Sequence, residues 1–132
     1  MTYLIAYIST TLIFLAIDSI WLGLVASNFY KEQLGHLMLE NPKLHIAAIF
    51  YIFYTIGIVL FAVKPALDAQ NFLLALGYGA LFGFLAYGTY DFTNMATLKD
   101  WPTKVSVIDI LWGTSLTSAT AIAGYFITKQ FV

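Results

Sequence analysis

The sequence predicts an all-α, polytopic membrane protein: an antiparallel bundle of four transmembrane helices forming a single domain over residues 1–132. Three observations carry that expectation. The chain is 61% hydrophobic and 10% charged, so a soluble domain of this length would have to hide more apolar surface than its interior holds. Four apolar runs each approach the ~20 residues that a helix needs to cross the hydrocarbon layer. The polar breaks between these runs hold proline and lysine, which end helices and sit at membrane surfaces.

The first span covers residues 3–27 and the second residues 44–63. Asn41-Pro42 precedes the second and Lys64-Pro65 follows it, so each proline falls where a helix is expected to begin or stop. The third span covers residues 71–92 and the fourth 102–128, the latter opening on Asp100-Trp101-Pro102. Unpaired backbone groups in hydrocarbon cost several kcal/mol each, which makes the spans helical, and short loops make neighbours antiparallel. The N-terminus has no basic segment and no small-residue cleavage site, so the first apolar run is expected to stay as a span.

Between Asn28 and Lys43, apolar Phe29, Leu34, Leu37 and Met38 fall near helical spacing among Lys31, Glu32, Gln33, His36 and Glu40. That pattern suits a short helix lying in the interface, with an ordinary polar loop as the alternative. Lys31, Lys43, Lys99 and Lys104 flank the first and third loops, against Lys64 and Lys129 on the other side. The excess places loops one and three in the cytoplasm and both termini outside, in a multi-pass protein of the cell membrane.

Composition also excludes chemistry. With no cysteine there is no thiolate nucleophile, disulfide, iron–sulfur cluster or thiolate zinc site. All six basic residues are lysine and the net charge is −1, so no arginine fork is present for phosphate and no nucleic-acid partner is expected. No cofactor is expected either. His36, Glu40 and His45 are the remaining candidate metal ligands; His36 and Glu40 share a face only if the loop is helical, and solvated interface histidines are the simpler reading. Two histidines are too few for a histidine-rich di-iron hydroxylase.

Gly79 and Gly83 form a G-x-x-x-G pair in span three, and span four offers a seam of Gly113, Thr117, Thr120 and Gly124. Such faces allow close helix approach, within the bundle or between protomers of a homo-oligomer.

The candidate site is built on acids inside the spans. Asp18, Asp91 and Asp109 lie within or at the edge of apolar helices, where a carboxylate costs about 2.5 to 3.5 kcal/mol at mid-bilayer. Asp18 stands nine residues before the end of span one, roughly 14 Å deep at the 1.5 Å helical rise, and Asp109 lies roughly 10 Å into span four. Asp91 is expected at the end of span three on that same side. All three fall in the membrane half nearest loops one and three, where Thr89, Thr93, Asn94 and Ser106 are expected to join them in one polar cavity and His45 to enter from the same side. Asp18 and Asp109 each have a tryptophan three residues on, Trp21 and Trp112, on the same helical face. An indole donates to a carboxylate and its ring holds a cation or a flat apolar group; packing or lipid contact is the alternative. No cation lies mid-span, so close carboxyls in low dielectric are expected to retain at least one proton.

Asp18-x-x-Trp21-Leu-Gly, then Tyr87-Gly-x-Tyr-Asp91-x-Thr93-Asn94-x-Ala96-Thr97-Leu98, then Trp101-Pro102 with Asp109-x-x-Trp112-Gly113 resemble the motifs of a family of small bacterial predicted membrane proteins catalogued as a domain of unknown function. The resemblance spans nearly the whole chain. It implies a four-span fold and assigns no activity, substrate or cofactor. The site expected from the residues is therefore Asp18, Trp21, Tyr87, Asp91, Asn94, Asp109 and Trp112, binding a ligand or a proton. Three functions compete: a carrier or binding protein for a cationic or proton-coupled small molecule, an acid/base enzyme acting on a lipid or isoprenoid, and a non-catalytic membrane partner subunit.

Overall fold

The computed structural model describes all 132 residues and contains no strand. Helix α1, Thr2–Ile20, runs into a wide π turn, Trp21–Val25; α2 is Ser27–Leu34, followed by a short 3-10 turn, Gly35–Leu37. Helix α3, Leu44–Ile58, passes through a second π turn, Val59–Val63, into α4, Lys64–Ala69; α5 is Phe72–Thr97 and α6 is Thr103–Lys129. Four stretches are long and apolar enough to cross a membrane: Thr2–Val25, Leu44–Ala69, Phe72–Thr97 and Thr103–Lys129. The chain is thus a four-span helical bundle, and the first loop does contain a helix, α2.

Two spans run further than the expected limits. The second does not stop at Lys64-Pro65: the π turn Val59–Val63 widens the helix just before Pro65, which lacks an N–H for the ladder, and the helix continues to Ala69. The third passes Phe92 to reach Thr97. Thr93 and Thr97 donate their hydroxyls to carbonyls one turn back, at Tyr90 and Thr93, so these polar residues are satisfied without leaving the helix. Asp91 consequently lies six residues inside the helix end rather than at it.

Tight connections keep successive spans adjacent. Between α4 and α5, Gln70 takes the left-handed conformation (φ 52°) and the Asn71 carboxamide caps α5 by accepting from the Leu73 amide at 3.0 Å. Between α5 and α6, Asp100 is left-handed (φ 61°) ahead of Pro102, the N-cap of α6.

The closest packing joins α5 to α6. A methyl group added at Gly83 would meet the Gly113 carbonyl oxygen and stand 2.8 Å from the Thr117 side chain; one at Gly79 would lie 3.0 Å from the Ser118 Cα. On α6, a methyl at Gly113 would enter the Tyr87 ring, and one at Gly124 would collide with the Thr10 hydroxyl of α1. All four glycines of the expected packing faces are therefore used inside one bundle. The interior they close around holds Phe14, Tyr54, Ile58, Val63, Leu116 and Tyr125, while Leu12, Phe53, Leu81, Leu85 and Leu111 point outward to where acyl chains surround a spanning bundle.

Span two breaks this compactness at one end. Its lower part, Val59–Ala69, packs its backbone close to α5, whereas the α3 backbone stands back from α5 and α6 and reaches them through side chains, with Tyr54 stacked on Phe82 and bonded to Thr117. The bundle is closed toward loop two and splayed toward loops one and three.

Replacing Gly113 by Val is expected to destabilise the bundle by about 1–3 kcal/mol through overpacking against Tyr87, read as a lower thermal midpoint in detergent. Gly23→Ala, where nothing lies within 4 Å of the added methyl, is the matched control. A Gly113→Val protein as stable as wild type contradicts this packing.

Candidate functional site

The three aspartates converge from three spans. Trp112 and Asp18 meet across the α1–α6 seam: the Trp112 indole Nε1–H donates to Asp18 Oδ1 at 3.2 Å. Asp18 is 4% exposed, so this bond is made out of water. No other side chain hydrogen-bonds this carboxyl; Tyr51 of α3 stands nearby, its ring packed edge-on against Phe14 of α1. The expected pairing of each aspartate with the tryptophan on its own helix is thus replaced by a pairing across helices. Helix α6 runs antiparallel to α1 and sets Trp112 level with Asp18, and a neighbour on the facing helix can aim an N–H at a carboxylate that an i,i+3 neighbour only flanks. Trp21 instead stacks on Trp112, with ring centroids 4.3 Å apart and planes 9° from parallel. Its own Nε1–H is buried with no acceptor.

Asp109 is half-buried and accepts from Tyr30 Oη at 2.9 Å. Tyr30 lies on α2, outside the spans. Burial, and then the Asp109 carboxylate beside it, push its phenol above the usual tyrosine range, so it remains a donor at neutral pH.

Asp91 is fully buried, and neither of its carboxylate oxygens meets a donor. Its carboxyl lies within hydrogen-bonding reach of that of Asp109. Its backbone is pinned instead: Trp101 Nε1–H donates to Ser106 Oγ at 2.9 Å, and Ser106 Oγ–H donates to the Asp91 carbonyl at 3.0 Å. A pinned, unpaired carboxyl facing another carboxyl is costly, and it is relieved by a proton or a cation between the two.

Where α3 splays from α5, a cleft of about 290 Å³ opens. Phe50, Tyr51, Tyr54, Tyr87 and Tyr90 wall it, and Asp109 is its one charged lining residue. Seven of its eight lining residues are hydrophobic, so an entering molecule meets mostly rings and a single carboxylate. Exposed Phe50 and Tyr90 at its rim place the mouth on the flank of the bundle, facing lipid.

Not every expected member lines the site. Tyr87 does, held against Gly113. Asn94 is half-buried one turn beyond Asp91 and does not reach the cleft. Thr89 and Thr93 are exposed and bonded to their own helix at the Leu85 and Tyr90 carbonyls, so they do not join the aspartates; Ser106 does, through the Asp91 backbone. His45 is exposed on the first turn of α3, away from the cleft lining. His36 and Glu40 do not share a helical face, because α2 ends at Leu34 and Glu40 lies beyond the following turn.

Tyr30, Phe50, Tyr51, Tyr54 and Tyr90 are additions that the intramembrane acids did not point to. One signal was available: Tyr51-Ile-Phe-Tyr54 and Tyr87-Gly-Thr-Tyr90 repeat a Tyr-x-x-Tyr spacing in spans two and three, which sets two phenols on one helical face.

Trp112→Phe is expected to leave the Asp18 carboxyl short of a donor and cost about 1–3 kcal/mol of stability. Part of this should return when Asp18→Asn is added, because a neutral amide needs less. Thermal unfolding of the two variants and the double variant reads the coupling, and a neutral Trp112→Phe would show that the indole does not sustain Asp18.

No curated protein and no solved structure matches the chain. Residues 3–126, nearly its whole length, match the profile of a family described as predicted membrane protein (DUF2177). The chain, with its four apolar spans, belongs to that family of membrane proteins of unknown function.

Proposed function

We propose that this protein binds and carries a small, lipid-soluble cation, which enters the cleft sideways from the bilayer and is neutralised at Asp109. The observation that supports this reading best is the composition of the cleft: five aromatic residues surround one carboxylate, with no cationic side chain among them. Ring faces attract a cation by about 0.5–2 kcal/mol each, more when water is excluded. The one lining carboxylate then supplies the counter-charge in low dielectric, where its attraction is strongest.

Asp91 gives the site a second state. Two adjoining carboxyls in a dry interior do not both carry full charge, so a cation arriving at Asp109 displaces the proton that the pair holds. With loops one and three taken as cytoplasmic, the exchange takes place in the inner half of the membrane. Asp18, held by Trp112, stands behind the aromatic wall.

A second reading, an acid/base enzyme acting on a lipid or isoprenoid, draws support from the lateral opening of the same cleft. It assigns the carboxyl pair to proton transfer on a bound double bond. Lipid profiles of cells with and without the protein separate the two readings: an accumulated precursor favours the enzyme, and unchanged profiles sink it.

The carrier reading is tested by titrating tetraphenylphosphonium and benzyltrimethylammonium into the protein in lipid nanodiscs while following tryptophan fluorescence. Saturable binding is expected, weakened at least about tenfold by Asp109→Asn, the equivalent of one lost interaction of about 1.4 kcal/mol. No saturable binding of either cation, or equal binding by Asp109→Asn, rejects it.

A further inference from the structure

The polar interior does not end at the cleft. Thr55, Thr89, Thr97 and Thr128 satisfy their hydroxyls on a carbonyl one turn back. Thr10, Thr114 and Thr120 do not: their hydroxyls are buried and have no partner, and Thr10 and Thr120 are fully buried residues. A hydroxyl sealed from solvent and left unbonded is unfavourable, and in native interiors such groups are met by ordered water.

Two of these orphans, Thr10 and Thr120, lie along the α1–α6 seam. Trp112 meets Asp18, and counting eight residues onward along each of the antiparallel helices gives Thr120 and Thr10. Both therefore stand about 12 Å below the carboxylate at the 1.5 Å helical rise. Gly124, one turn on, has no side chain, and the Thr10 hydroxyl occupies that space. Between the two levels, fully buried Phe14 and Leu116 block the direct line from Asp18. The way around them is already built: Tyr54, whose ring walls the cleft, shares a 2.7 Å hydrogen bond with Thr117, the α6 residue between Thr114 and Thr120. Beyond Thr10 and Thr120 the interior holds Ala6, Ala62, Ala66 and Gly124 beside buried Val63 and Tyr125. At the loop-two end lies a polar vestibule of about 500 Å³ that includes Thr2, Asp68, Gln70 and Lys129.

From this placement we infer a proton route through the bundle, running from the cleft by way of Tyr54 and Thr117 to waters held by Thr10 and Thr120, and out at the loop-two vestibule. Each hydroxyl or water takes a proton from the oxygen before it and gives one to the oxygen after it, so nothing is oxidised or consumed. The ligand class is water and the transported species is the proton. The inference goes beyond the cation reading and needs only the carboxyls as the inner terminus, so it stands or falls separately.

The test uses the full chain in proteoliposomes loaded with a pH-sensitive dye, with proton flux driven by a potassium diffusion potential. Wild type is expected to pass protons faster than protein-free vesicles. Thr120→Val and Thr10→Val should each lower that flux at least about tenfold, the effect of about one lost hydrogen bond on a barrier, while Thr120→Ser and the outward-facing Ser115→Ala retain it. Cation binding in nanodiscs should be unchanged in the Thr120→Val protein, which separates this result from failure of the cleft reading. Thermal midpoints complete the test. If these orphans are dry and idle, replacing Thr by Val removes an unsatisfied hydroxyl, raises the midpoint and leaves flux untouched. That outcome, or wild-type flux no faster than that of empty vesicles, overturns the inference.

Discussion

Helices α5 and α6 approach each other as closely as two backbones can, because Gly83 faces Gly113 and neither carries a side chain. That approach positions the rest of the site. It presses the Tyr87 ring over Gly113, brings Asp91 and Asp109 within reach of one another, and lets Ser106 hold the Asp91 carbonyl. With α5 and α6 locked, α1 has one seam left to occupy, and there Trp112 donates to Asp18. Span two is then fixed at only one end, by Val59–Ala69, and its other end leans away to open the cleft. A larger residue at either glycine would strike Tyr87 or Thr117 and force the two helices apart.

The acids are supported in an unusual way for a membrane interior. None is paired with a cation; the single salt bridge, Lys64 with Asp68, lies at the loop-two end. The donors are aromatic instead: an indole for Asp18, a phenol for Asp109, and none for Asp91. Aromatic donors stabilise a carboxylate without neutralising it, so negative charge stays available to an incoming cation or proton. Leaving Asp91 without any donor concentrates that demand at one position.

Much of this was legible in the sequence. Apolar length and the polar breaks gave four helical spans, and the sparse acids marked Asp18, Asp91, Asp109 and both tryptophans before any coordinates. Register across helices was not legible. The i,i+3 spacing correctly put Trp21 beside Asp18 on one face, yet it carries no information on which facing helix stands level, so the Trp112–Asp18 bond could not be read from it. Thr89 and Thr93 looked like site residues because they flank Asp91, but a threonine can satisfy itself on its own helix and turn outward. The helix end beyond Asp91 was placed too early for the same reason. Tyr30 escaped notice because it belongs to α2 and reaches Asp109 only once the chain has folded back over the bundle.

The account rests on Asp91 and Asp109 acting as one unit that exchanges a proton for a cation. Infrared difference spectroscopy of the protein in lipid, recorded on addition of tetraphenylphosphonium, reads this directly through the carbonyl stretch of a protonated carboxyl. Loss of a carboxylic-acid band on cation addition is the predicted result, with the band abolished by either Asp91→Asn or Asp109→Asn. A spectrum with no carboxyl change, or a band that survives both substitutions, would contradict the account.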